Sequence, residues 1–114
     1  MTQHAALSVE RWAKFPLEQQ ILMIGNEMHR TTKRLAEAAP EPRRLGYERV
    51  LRLTDLTVAS AHRPALRREL LRWRDLPAAL YVADAADVVA HTDAFRALLQ
   101  LHPVPAQQIP LLLG

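Results

Sequence analysis

Six residues in the first third of the chain, Leu17, Ile21, Ile24, Met28, Thr31 and Leu35, follow one another at spacings of four, three, four, three and four. At about 100° per residue they fall on one narrow stripe of a helix. The pattern predicts an amphipathic helix from Leu17 to about Ala38. A stripe of this kind has to be buried against other helices. It sets the fold class as all-α: an antiparallel helical bundle of three long helices plus one or two short C-terminal helices. Gly25 lies close to the stripe and costs the helix about 1 kcal/mol relative to alanine. A tight helix–helix approach is the physical reason to keep it.

The rest of the chain supplies the partners. Glu41 and Pro42 open a second helix that runs to about Ala61. Tyr47, Val50, Leu51, Thr54, Thr57, Val58 and Ala61 share one broad face of it, and Leu45, Leu53 and Leu56 lie on roughly the opposite side. Arg63 and Pro64 open a third helix with the stripe Leu66, Leu70, Trp73, Leu76 and Leu80. Pro77 is expected to end, kink or restart it, with Asp75 capping a new first turn. Asp84 to Leu101 reads as one or two shorter helices, with Asp84 and Thr92 as caps. Upstream, Ser8 is placed to cap a short turn carrying Trp12. Pro103, Pro105 and Pro110 exclude a regular helix, so 103–114 reads as a proline-rich apolar tail. One domain spanning 1–114 is the natural count at this length.

Composition narrows the function classes. The chain has no cysteine, hence no disulfide frame, no thiol nucleophile and no cysteine-based zinc site. That fits a cytoplasmic location, as does the absence of a basic-then-apolar leader pattern. No apolar run approaches the ~18 residues of a membrane span, so no membrane partner is expected. The net charge of +3 is unevenly placed. Between His62 and Leu76 lie Arg63, Arg67, Arg68, Arg72 and Arg74 against Glu69 and Asp75. From Asp84 to His102 lie Asp84, Asp87 and Asp93 against Arg96 alone.

No chemistry-bearing motif stands out. The five histidines are scattered, and no two have the four-residue spacing that puts two imidazoles on one helix face. There is no Glu-x-x-His pair of the di-iron kind. Ser8 and Ser60 are the only serines, and neither sits in a Gly-x-Ser-x-Gly elbow. No catalytic residue, metal or cofactor is therefore expected. Nucleic acid is the one ligand class with some support, because the arginines of the third helix can neutralise several phosphates. No aromatic residue is interleaved among them for base stacking except Trp73, which belongs to the core stripe.

Three stretches resemble one family. Glu18-Gln19-Gln20 leading to Ile24-Gly25-Asn26-Glu27-Met28-His29-Arg30, with Trp12 upstream, is similar to a first-helix signature of Glu-Gln followed by Ile-Gly-Ser-Glu-x-x-Arg. Tyr47-Glu48-Arg49-Val50-Leu51-Arg52-Leu53-Thr54-Asp55-Leu56-Thr57 resembles an aromatic-Glu-Arg-Ala-Leu-Glu-Leu-x-Asp-Leu-Thr stretch. Arg68-Glu69-Leu70-Leu71-Arg72-Trp73-Arg74-Asp75 looks like a Lys-Glu-x-x-Arg-x-Arg-Glu run. These belong to an uncharacterised family of small all-helical bacterial proteins with no known activity. The match covers about residues 10 to 82. The resemblance implies a helical domain and singles out a polar set: Glu27, Arg30, Glu48, Arg49, Asp55, Glu69, Arg72 and Arg74. These are expected to form interhelical ion pairs at the core margin, or a shared polar groove.

The expected function is that of a non-enzymatic helical interaction or scaffold protein acting through protein–protein contacts, as a homodimer. Its expected apolar interface is Leu45, Leu53 and Leu56 together with Leu111, Leu112 and Leu113. The alternative is an arginine-dependent nucleic-acid-binding or regulatory module.

Overall fold

The computed structural model describes residues 7–114. Seven helices pack together, and the described residues contain no strand. They are α1 (Val9–Trp12), α2 (Leu17–Thr32), α3 (Glu41–Ser60), α4 (Pro64–Val82), α5 (Val88–Leu99), α6 (Pro103–Ala106) and α7 (Ile109–Leu113). Helix α2 packs on α3 and α5, and α4 packs on α3 and α5, so the four long helices surround one core. The stripe residues Ile21, Ile24, Met28 and Leu35 are buried in that core with Tyr47, Val50, Leu53, Trp73, Phe95 and Leu98.

Helix α2 stops earlier than the apolar spacing predicts. The Thr31 and Thr32 hydroxyls turn back to the carbonyls of Glu27 and Met28, at 2.8 and 3.0 Å. Such bonds compete with the helical ladder. The chain leaves through short turns, with Arg34 N bonded to Thr31 O and Glu37 N to Arg34 O. Leu35 still reaches the core from this turn.

Helix α4 runs unbroken through Pro77, whose ring is buried, and Asp75 caps nothing. Asp87, rather than Asp84 or Thr92, caps α5 by accepting from Ala90 N at 2.9 Å. The tail also differs from expectation: it folds into α6, which lies against α2 and α5, and α7, which lies against α5. Prolines fit there because they occupy first-turn positions, where a missing N–H leaves no helical bond unmade. His102 Nδ1 caps α6 by accepting from Val104 N.

The two core glycines divide differently from expectation. A methyl group on Gly25 would meet Leu99 and Phe95 at 3.5 Å, an ordinary contact. The close approach is at Gly46 on α3, where a methyl group would overlap the Thr31 hydroxyl of α2.

Candidate docking face

The apolar set Leu45, Leu53, Leu56, Leu111, Leu112 and Leu113 does not form one surface. Leu53 is fully buried in the core, and Leu56, Leu112 and Leu113 are half-buried against it. Only Leu45 and Leu111 are exposed. Helix α1, four residues long, packs on α3, and α7 packs on α5. Ser8 caps α1 by accepting from Arg11 N, and Trp12 is fully buried with its Nε1 donating to Thr57 Oγ1 at 2.9 Å.

The polar set separates into three places. Arg30 pairs with Glu27 along α2 at 3.0 Å, with the Glu27 side chain almost wholly buried. Arg74 on α4 pairs with Asp55 on α3, Nε to Oδ1 at 2.6 Å and Nη2 to Oδ2 at 3.3 Å. That bond holds the Arg74 guanidinium above its ordinary pKa. Nearby, Tyr81 donates to Glu48 at 3.2 Å. Glu48, Asp55 and Tyr81, with Val9, Leu51, Arg52 and Leu56, line an open groove of about 720 Å³ over α3. Arg49 is half-buried and its Nε has no hydrogen-bond partner. Glu69 and Arg72 sit apart, beside an apolar notch of about 310 Å³ formed by Trp73, Leu76, Ala97 and Leu101.

Helix α4 carries unneutralised positive charge on its exposed surface, Arg68 and Arg72 on the solvent side and Arg63 and Arg67 at the flank of the core stripe. Arg63, Arg67, Arg68 and Arg72 are all exposed, and none makes a side-chain ion pair or hydrogen bond among the described residues. Glu69 and Asp75 on the same helix do not capture them. Arg63 occupies the N-cap without a capping bond, and the first turn contains no acid. Positive charge at a helix N-terminus opposes the helix dipole, so Arg63 does not stabilise its own helix. Beside them, Leu71 and Leu76 are 48% and 45% exposed.

A buried polar network, which the sequence reading does not single out, ties α2, α3 and α5 together. His91 is 1% exposed. Its Nε2 lies 3.1 Å from Met28 O and 3.0 Å from Thr32 Oγ1. The Met28 carbonyl only accepts, and Thr32 already donates its proton to the same carbonyl. Nε2 therefore carries the hydrogen, and Nδ1 accepts the Tyr47 hydroxyl at 2.8 Å. Burial pushes the imidazole below its ordinary pKa, against the Met28 carbonyl, which favours the charged form. Burial also pushes the Tyr47 phenol up to about 12, with Arg43 opposing and Asp87 adding to the rise. Both ring nitrogens are occupied, and the ring has no exposed edge for a substrate.

Arg43 is the other buried polar anchor. It is 3% exposed and donates to Ala83 O at 3.2 Å and Asp84 O at 2.9 Å. These carbonyls close the C-terminus of α4, the negative end of its dipole.

Among the described residues no three histidines or acids gather where they could hold a metal ion, and no helix is long and apolar enough to cross a membrane. The chain matches no protein-family model, no curated protein and no solved structure.

Proposed function

We propose that this chain is a non-enzymatic interaction protein that docks, through the outer face of α4, onto a protein surface carrying acidic and apolar groups. The observation that carries the reading is the pair Arg68 and Arg72, exposed and unpaired on the solvent side between Leu71 and Leu76, with Arg63 and Arg67 unpaired on the adjoining flank. Arginine is enriched at protein interfaces because its planar fork engages carboxylates and its stem covers apolar surface. A non-enzymatic role is supported by the occupation of the polar side chains closest to catalytic types. His91 is sealed, Ser8 caps α1, and Ser60 donates to Thr57 O. A cytoplasmic setting belongs to the proposal on the strength of the cysteine-free composition. Kinship with the small bacterial family rests on the three motifs and adds no activity.

A second reading is docking on a nucleic-acid duplex, favoured by the same four arginines. The face offers no ring to stack on bases, because Trp73 is 4% exposed and spends its Nε1 on Ala94 O.

The test is fluorescence anisotropy with two labelled probes, a glutamate- and leucine-rich peptide and a DNA duplex, using dilute protein at low and high salt. The docking reading expects the peptide to bind, and the combined Arg67→Ala, Arg68→Ala, Arg72→Ala variant to lose on the order of tenfold or more in affinity. Duplex binding with a steep salt dependence, and no peptide binding, selects the second reading. Absence of binding to both probes overturns both.

A further inference from the structure

We propose that the partner of the α4 face is a second copy of this chain, packed with the two α4 helices antiparallel across a twofold axis. The inference rests on the docking reading above and names its partner.

Helix α4 carries two stripes of heptad-like spacing. Leu66, Leu70, Trp73, Pro77 and Leu80 form the inner one. On the opposite side Ala65, Arg68, Arg72, Asp75, Ala79 and Val82 recur at spacings of three, four, three, four and three, and all six are exposed. That is the spacing at which one helix presents a continuous seam to another. Small residues near both ends, Ala65 and Ala79, let a second helix come close. The seam lies along a 19-residue helix, about 28 Å long, in a molecule 39 × 32 × 22 Å. It therefore spans most of one side.

Charge selects the occupant and its direction. On the seam, Arg68 and Arg72 lie in the N-terminal half of α4. Asp75 lies in its C-terminal half, and Asp84 and Asp87 lie just beyond its end. A parallel copy would set arginine against arginine. An antiparallel copy sets each basic end on an acidic one, and a twofold axis makes both contacts identical. Centring the axis between residues 73 and 74 places Arg72 opposite Asp75 of the second copy. In the same register Arg68 faces the small Ala79, and Ala65 faces Val82.

The acidic end is also apolar in the way the docking reading requires. Val82, Val88 and Val89 are 72%, 59% and 71% exposed around Asp84 and Asp87. The exposed leucines Leu71 and Leu76 lie on either side of the axis, and the exposed valines lie at the acidic end. The basic and acidic groups sit toward opposite ends of one helix, where only an antiparallel copy can satisfy both at once. Charge complementarity of this kind fixes register and orientation.

The test is a charge swap read by sedimentation equilibrium at low salt, with the fold of each variant checked by circular dichroism. Wild type is expected to dimerise within concentrations up to about 200 µM. Arg72→Glu alone and Asp75→Arg alone should each weaken the dimer on the order of tenfold or more, because each sets two like-charged pairs across the axis. An equimolar mixture of these two single variants should regain a heterodimer, since every facing pair is then of opposite sign. The double variant carrying both changes should regain a homodimer. Both positions are exposed, so the variants retain the fold. A wild type that stays monomeric over this range overturns the second-copy proposal, as does a dimer indifferent to both reversals. A monomer that still binds the acidic peptide through its arginines leaves the docking reading standing, so the two failures are distinguishable.

Discussion

Tyr47 on α3 donates its hydroxyl to Nδ1 of His91 on α5 across 2.8 Å, inside the core. Burial holds His91 neutral, and in that state Nδ1 is free to accept the phenol hydrogen. Burial lowers the pKa of this imidazole below the unfolded value of about 6.5. Below that value the unfolded chain takes up a proton that the folded chain does not. The stability due to this group is therefore complete above about pH 6.5 and is lost as pH falls toward the folded pKa. The slope is at most about 1.4 kcal/mol per pH unit. Chemical denaturation between pH 7.5 and 5 should show this loss, and His91→Gln should remove this component of the slope. Identical slopes in the two proteins would contradict the neutral, buried imidazole.

Gly25 and Gly46 should respond oppositely to alanine. At Gly25 the new methyl meets Leu99 and Phe95 at 3.5 Å, so the helix-propensity gain of about 0.8–1 kcal/mol should survive in part. At Gly46 it overlaps Thr31 Oγ1 and comes within 3.2 Å of the threonine Cβ and Cγ2. Thr31 is fully buried and fixed by its bond to Glu27 O, so it has little room to give. A loss of about 1–3 kcal/mol is expected for Gly46→Ala. Thermal melts of the two variants decide it: a stabilised Gly46→Ala would mean that α2 and α3 can move apart freely.

Two arginines in interhelical contacts should differ in worth. The Arg74–Asp55 pair is short, but its side chains are 34% and 57% exposed, and solvent screens it. Arg74→Ala should cost under about 1 kcal/mol. Arg43 is 3% exposed and ties α3 to the carbonyls that end α4. Arg43→Ala leaves those carbonyls short of donors and opens a cavity, so about 2–4 kcal/mol is expected. Both bonds come from one nitrogen, Nη2, so Arg43→Lys should recover part of the loss, the rest reflecting the smaller, differently placed ammonium. Urea titrations of the three variants measure the order directly.

Periodicity made the inner faces of α2, α3 and α4 legible, because burial follows spacing wherever a helix lies on a core. What escaped the sequence depended on contacts distant along the chain. Leu53 looks like surplus until α1, only four residues long, is seen to close over α3. Arg43 and Arg44 are adjacent and alike in sequence, yet only Arg43 meets the end of α4. His91 has no partner nearby in the chain, and Tyr47 reaches it from 44 positions upstream. The end of α2 was hidden for a local reason: Thr31 and Thr32 continue the apolar spacing while their hydroxyls bond the backbone. The basic run between His62 and Leu76, with Arg68 and Arg72 in it, was legible in the sequence. Their lack of partners was not, since Glu69 and Asp75 lie within reach by spacing.

Leu53 and Leu71 test the division between core and docking face. Leu53 on α3 is fully buried, packed in the core that Trp12 seals from the α1 side. Removing its side chain to Cβ forfeits the burial and leaves a cavity between α3 and its neighbours, so Leu53→Ala should cost about 2–5 kcal/mol. Leu71 on α4 is 48% exposed and belongs to the outer side of the helix. Leu71→Ala should change the stability of the dilute chain by no more than about 0.5 kcal/mol. Denaturant unfolding at low protein concentration measures both. A large loss at Leu71 in the monomer would place that residue in the core of a single chain and remove it from any docking face. A small loss there, together with weakened association at high concentration, is what a leucine kept exposed for a partner should give.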